Sequence, residues 1–483
     1  MGNANRFVRA ALLPLGVLAL LLLMYLLPDL YWDGRRLRRV DLLGDVRVKP
    51  DRKADLPDLA AATMTDSLTL PDSIGEMEEE TMFIRSNPIR VDTTAIVDYS
   101  DSTAHGMSAF YWALRKLESE DGGSPVRIAY FGDSFVEADI LTADLRAKLQ
   151  SQFGGCGVGF IPIASPLSGY RPTVKQSFSG WDSRNATSTH DFDPRQQGLS
   201  GQYSLAETGA TVQVGGVRKY APHIDTCSVA AIVFSAPEPV RLSMQVNGED
   251  TVVQTFAAAE GLQQMSARGR IGKISWTVEQ VDTAVFYGIV MDDTTGVVVD
   301  NFSLRSNSGL ELGTVPEATM ERFAAWRPYD LIILHYGLNV ASEEPSNFYG
   351  YIAGMREVIG LLKTCFPQAA ILIVSVSDRD YRTEEGEIET LPGIISLVKC
   401  QQRLAKAESV AFWNLFRSMG GEKSMTTLVD SDPPMANTDY THINFRGGRH
   451  IASLLFDALM QGKKEYDEAY EAARQTKEDD NEQ

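Results

Sequence analysis

Cysteine is scarce in this chain. Its four copies among 483 residues, Cys156, Cys227, Cys365 and Cys400, are widely spaced and form no C-x-x-C pair. That spacing excludes a zinc knuckle and a dense disulfide framework, and leaves the redox compartment open. Basic residues are outnumbered, with 45 Lys and Arg against 64 Asp and Glu and a formal net charge of −19. A surface so balanced repels a phosphate backbone, so nucleic acid is not an expected partner. A phosphate-cradling loop is missing too. Gly154, Gly155, Gly157 and Gly159 crowd one short stretch, but no Lys-Ser/Thr follows them, and close backbone packing at a helix end is their expected use. Histidine is limited to six copies, so one placed beside a nucleophile is informative.

What is present starts with an uncharged apolar run at residues 10–27, at the short end of the roughly 17–25 residues that cross a bilayer. Tyr25, Tyr31 and Trp32 at its far end suit an interfacial belt, and no small-x-small cleavage site follows, so residues 1–32 read as an uncleaved transmembrane signal anchor. Arg6 and Arg9 precede the run while Arg35, Arg36, Arg38 and Arg39 follow it. The positive-inside rule alone would keep the bulk of the chain in the cytoplasm. Residues 33–88, with mixed charge, scattered proline and an acidic cluster at 76–80, have the composition of a flexible tether.

A hydrophobic content of 44% over this length supports two or three domains. The organising stretch is 127–145, RIAYFGDSFVEADILTADL. A short aromatic and β-branched run leads into Gly132-Asp133-Ser134 and then into a helical pattern, predicting strand, tight turn and helix. Ser134 on such a turn has its hydroxyl at the carboxyl end of a strand and its N–H at a helix N-terminus, where developing negative charge is favoured. It reads as a nucleophile or as a helix cap.

From 165 to 299 short alternating runs are separated by Gly, Asn, Asp and Pro, predicting an antiparallel β-rich insert. Tyr170, Trp181 and Tyr203 within it are candidates for glycan contact or for ordinary core. Continuous apolar strands alternating with helices then return, including 329–339 (YDLIILHYGLN) and 370–376, the mark of a parallel sheet covered on both faces. Ligands bind such sheets beyond the carboxyl ends of the strands. Ser134, the polar loop 303–309 and Asn339 all fall at such ends. Near the C-terminus, Asp439 and His442 lie three residues apart before a last helix, where Asp439 can orient His442 as a base for Ser134.

In that order, Gly132-Asp133-Ser134, Gly337-Leu338-Asn339 and Asp439-Tyr440-Thr441-His442 resemble the first, third and fifth blocks of the SGNH, or GDSL-type, hydrolase superfamily. The resemblance covers roughly 127–162 and 300–458. It implies an α/β fold, a flavodoxin-like α/β/α sandwich with a parallel sheet, split into 89–164 and 300–462 by the insert. It also implies ester chemistry without metal or cofactor. Ser134 would be the nucleophile, His442 the base, Asp439 its orienter, and the Asn339 amide an oxyanion donor beside the Ser134 N–H. At the second block the sequence departs from the family, with Ser306 in place of the usual glycine and Gly309 as a second candidate donor.

More narrowly, 132–160 with a β-rich insert after it resembles the bacterial peptidoglycan O-acetylesterases and their O-acetyltransferase relatives, whose insert is a carbohydrate-binding-like jelly roll. The expectation is an inner-membrane-anchored serine esterase facing the periplasm and removing O-acetyl groups from an envelope glycan such as peptidoglycan. An O-acetyltransferase with the same triad and a non-catalytic glycan-binding envelope protein are the alternatives. Residues 463–483 read as an acidic disordered tail.

Overall fold

The computed structural model describes residues 31–32, 35–36, 94–100, 106–119, 124–187 and 191–481. The chain divides into two units, Met1–Glu78 and Glu79–Gln483. In the first, Tyr31–Trp32 pairs antiparallel with Arg35–Arg36. The apolar run at 10–27 and nearly all of the tether lie outside the described residues. Among the described residues no helix is long and apolar enough to cross a membrane.

The second unit is built on a six-stranded sheet. Its strands are β1 (Val97–Asp98), β2 (Val126–Gly132), β12 (Val297–Ser303), β13 (Leu331–His335), β14 (Ala370–Val374) and β17 (Ala411–Trp413). Their spatial order is β12-β2-β13-β14-β17-β1, parallel except for β1 at one edge. Taking the five parallel strands in chain order, this is the flavodoxin-like sequence 2-1-3-4-5, whose direction reverses between β2 and β13. Both are buried almost throughout, because helices cover both faces and leave no solvent side for polar alternation. Helices α1 (Met107–Glu118), α2 (Thr142–Phe153) and α7 (Phe445–Asn481) pack together in one layer. The other layer holds α3 (Glu317–Trp326), α4 (Tyr349–Cys365) and α5 (Pro392–Ala407); β15 (Asp380–Arg382) pairs with β16 (Ile388–Thr390) outside the main sheet, and the short helix α6 (Ser424–Asp430) precedes α7.

Between β2 and β12 runs the insert, one antiparallel nine-stranded sheet. Its strands are β3 (Gly159–Ile161), β4 (Val174–Asn185), β5 (Gln202–Gly216), β6 (Cys227–Ala236), β7 (Val240–Val246), β8 (Val252–Phe256), β9 (Ala259–Ile271), β10 (Ile274–Gln280) and β11 (Val285–Asp292). The main path is β8-β7-β10-β5-β11-β6-β9, with β4 on β5 and β3 on β11. It encloses its own core, which includes Val212, Ile232, Phe234, Leu242, Trp276 and Phe286. The insert's sheet therefore starts before residue 165, at Gly159, and β12 crosses the 299/300 division. The glycine stretch makes that early start possible. A Cβ on Gly157, which has φ of 84°, would fall 2.2 Å from Met291 O, so only glycine lets this chain lie against β11.

The expected disordered tail is instead helix. Helix α7 continues to Asn481 because it docks on α1. Tyr466 is buried with its ring 6.0 Å from that of Tyr111, Tyr470 stacks 5.8 Å from Trp112, and buried Lys463 Nζ donates to Glu118 (2.7 Å) and Asp467 (2.6 Å). Gly462 permits the approach, since a Cβ there would lie 2.0 Å from the Tyr111 hydroxyl. Acidic composition missed this face because its aromatics are thinly spaced.

Candidate active site

Ser134 is the second residue after β2 ends at Gly132, near the start of the turn that closes the strand. A Cβ on Gly132 would sit 2.7 Å from Val136 Cγ2 and 3.2 Å from His335 O, so glycine lets the chain double back across the end of β13. Asp133 Oδ1 accepts from Phe135 N (2.9 Å), and Val136 N donates to Asp133 O (3.2 Å). The helix expected at 138 is displaced. A 3-10 turn at Glu137–Asp139 intervenes, Ala138 and Asp139 take φ of 53° and 61°, and α2 begins only at Thr142, so Ser134 is not at its N-terminus. Asp139 holds this left-handed pair in place. Its carboxylate accepts from Thr142 Oγ1 (2.8 Å), Thr173 Oγ1 (2.5 Å), Asn301 Nδ2 (3.1 Å), Arg146 Nη1 (3.3 Å) and Arg171 Nε (2.8 Å). Burial pushes the Asp139 carboxyl up, but the two guanidinium groups outweigh it and hold it far below the ordinary carboxylate range.

His442 arrives on the loop before α7. Ser134 Oγ lies 3.1 Å from His442 Nε2, and His442 Nδ1 lies 2.8 Å from Asp439 Oδ2. Asp439 Oδ1 accepts from Thr441 N and His442 N, both at 3.0 Å, so one carboxylate folds the loop and aims the ring. Burial raises the Asp439 carboxyl, yet the hydrogen bonds from His442 and Thr441 prevail and keep it below the ordinary range. The loop is further tied by Asn437 N to His442 O (2.8 Å) and Asp380 N to Tyr440 O (3.0 Å). Gly448, one turn into α7, presses against the Ser134 segment so tightly that a Cβ would lie 1.7 Å from Ile140 O.

Asn339 stands beyond the end of β13, across the switch point from Ser134. Its Nδ2 donates to Asn307 O (3.0 Å) and to Asp133 Oδ2 (3.2 Å), which occupies both amide N–H groups. Burial pushes the Asp133 carboxyl up to about 6, against the opposing pull of Phe135 N and His442. The two second-block candidates part company. Gly309 (φ 95°) lies against the Tyr336 ring and its N–H donates to Asn307 Oδ1 at 2.6 Å, so that amide is spent within the loop. Ser306 is exposed, also left-handed at φ 62°, and lines a cavity beside Glu137 and Ala138. The sequence reading thus placed Ser134, His442, Asp439 and Asn339, which the fold brings together. It missed Asp133 and Asn307, whose work depends on a meeting of loops that chain spacing does not reveal. Of the insert aromatics, Tyr203 is core, Trp181 Nε1 donates to Thr211 O, and Tyr170 is 74% exposed.

Among the described residues no cluster of His, Cys, Asp and Glu is arranged to hold a metal ion. No protein-family model and no curated protein matches the chain. Among solved structures, a peptidoglycan O-acetylesterase superposes with a TM-score of 0.61 at 20% identity, over 77% of this chain and 99% of that one. A family two carbohydrate esterase from Cellvibrio japonicus matches at TM-score 0.24 and 8% identity, covering 60% of this chain and 98% of the other. A GDSL-like lipase from Parabacteroides merdae matches at 0.26 and 12%, covering 34% and 73%. The first of these shows a shared fold.

Proposed function

We propose that the protein is a serine esterase that removes O-acetyl groups from a cell-envelope glycan such as peptidoglycan. The observation that carries this reading is the unbroken relay from Ser134 Oγ to His442 Nε2 (3.1 Å) and from His442 Nδ1 to Asp439 (2.8 Å), at the switch point of the sheet. Ser134 Oγ attacks the acyl carbon as its proton passes to His442 Nε2. The carbonyl oxygen becomes an oxyanion facing the Ser134 and Ser306 N–H groups and the Asn339 amide, which exchanges its longer bond to Asp133 for one to the oxyanion. Collapse expels the sugar oxygen, which takes the proton from His442. Water then attacks the acyl-enzyme, gives its proton to His442, and the acid leaves as Ser134 Oγ is reprotonated.

The glycan substrate is supported by the fold shared with a peptidoglycan O-acetylesterase. In the same reading, the run at 10–27 anchors the chain in the inner membrane with the catalytic unit in the periplasm, and the insert is a jelly-roll-like carbohydrate-binding domain. The test is acetate release from O-acetylated peptidoglycan by the purified protein, with Ser134→Ala and His442→Ala alongside. Wild type should release acetate and label at Ser134 with a phosphonate probe. Both variants should fold and be inactive; full turnover by either would refute the assignment.

A further inference from the structure

The loop that carries His442 rests on two buried carboxyl groups that the relay does not use. Asp378 and Asp380 follow the end of β14 and are 0% and 3% exposed. Both reach the same hydroxyl. Thr390 Oγ1, at the end of β16, lies 3.0 Å from Asp378 Oδ1 and 3.0 Å from Asp380 Oδ1, and it accepts from Lys423 N at 2.8 Å. The outer oxygens are taken up by the first turn of α6. Asp378 Oδ2 accepts from Met425 N (3.0 Å) and Ser424 Oγ (3.2 Å), and Asp380 Oδ2 accepts from Thr426 N (2.7 Å) and Thr426 Oγ1 (2.6 Å).

A proton count sets the charge of this pair. Thr390 has one hydroxyl proton and two carboxyl oxygens to give it to, so the chain from Asp378 through Thr390 to Asp380 is complete only when one carboxyl brings a proton of its own. Among the described residues no cation pairs with either group. Arg382 donates to Gly386 O, Asp439 is engaged with His442, Arg379 and Lys423 meet the cluster through their main chain, and Glu389, Glu422 and Asp430 are exposed. Burial and then the charge of Asp380 push the Asp378 carboxyl up to about 7, against the pull of Met425 N. A proton held this tightly stabilises the fold fully below the ordinary carboxylate range, and that contribution is lost as pH rises through about 7. The pair is tied to the catalytic loop by main-chain bonds. Asp380 N donates to Tyr440 O (3.0 Å), Met435 N donates to Leu428 O of α6 (2.8 Å), and Ala436 bridges to Ile443.

We propose that Asp378 and Asp380 are positioning residues, a proton-sharing pair that holds α6 and the His442 loop in place and releases both when the shared proton is lost. The effect on ester turnover rests on the esterase reading; the loosening of the loop does not. The experiment follows hydrogen–deuterium exchange of the peptide spanning 435–445 in the full chain, corrected for the intrinsic rate, from about pH 6 to about pH 9, beside kcat on p-nitrophenyl acetate. In the wild type, protection of the Asn437, Tyr440 and Asn444 amides should fall across that range. The accompanying loss in kcat should be about tenfold, less than the ~10²-fold that a 1 Å misplacement can cost. Asp378→Asn supplies an N–H where the shared proton stood, donating to Thr390 Oγ1 while its carbonyl still accepts from Met425 N, and should abolish the alkaline loss in both readouts. Asp380→Asn makes the same replacement from the other side and keeps the test valid if the first variant does not fold. A merely structural carboxyl would lower the melting temperature when replaced and leave the pH at which kcat falls where it was. Constant protection in the wild type, or the wild-type alkaline loss in a folded Asn variant, would overturn the proposal. Exchange that responds as expected in a chain that hydrolyses no ester would leave the pair standing and sink the esterase reading. Ester turnover with no alkaline change in exchange would do the reverse.

Discussion

Asn339 Nδ2 donates to Asp133 Oδ2 at 3.2 Å, so the residue just ahead of Ser134 steadies the side chain that stands opposite it. Asp133 is 1% exposed and its carboxyl is pushed up to about 6 by burial. Relative to an ordinary Asp near 3.9, the folded state holds its proton more tightly. The stability tied to this group is therefore complete below about pH 4 and is lost as pH rises through about 6. Asp133→Asn removes that loss. Its stability should gain on wild type as pH rises from 4 to 7, by about 3 kcal/mol. Its kcat on an acetyl ester should fall about tenfold, because a neutral partner restrains Asn339 less well. Melting curves and rates across that range check both.

Asp439→Asn should lower kcat by about 10²–10⁴ with little change in KM, since an amide at this place can present N–H to His442 Nδ1 and favour the wrong tautomer. The same oxygen pattern folds the loop through Thr441 N and His442 N, so the circular dichroism spectrum should be recorded beside the kinetics.

Asn339→Ala should cost about 10²–10³ in kcat, the usual loss for one oxyanion donor. If Asn339 only bridged Asp133 and Asn307, KM and stability would change and kcat would not.

Gly448→Ala places a methyl group 1.7 Å from Ile140 O, which is backbone and cannot rotate aside. Helix α7 must back away from the Ser134 segment, carrying the His442 loop with it. Expected are a destabilisation of about 1–3 kcal/mol and a drop in kcat well beyond what that loss of stability explains; Gly350→Ala, with open space around it, serves as control.

Ending the chain after Gln461 should destabilise the protein by about 2–5 kcal/mol, the range for removing a large buried apolar side chain. Tyr466 and the buried ammonium of Lys463 are lost from the face of α1. An unchanged melting temperature would mean that the last turns of α7 contribute nothing.

The parallel sheet was legible because strands buried on both faces spell themselves as continuous apolar runs, as in Leu331–His335 and Ala370–Val374. Ser134, Asn339, Asp439 and His442 were legible because each ends a strand or opens the final helix. The turn after Ser134 was not, since Ala138 and Asp139 carry no glycine signal for their positive φ; the torsions are imposed by Arg146, Arg171 and Thr173, which come from elsewhere in the chain. The same holds for the tail. Helix α7 looked like a solvated acidic segment until α1 supplied Tyr111 and Trp112 to meet it.

Ser134 and His442 are 308 residues apart, with the whole nine-stranded insert made between them. A nascent polypeptide emerging from the ribosome thus carries Ser134 long before it carries anything able to activate it. On the esterase reading, competence waits until Asp439 and His442 have been made, and a fragment broken off upstream of Asp439 is inert toward the esters around it.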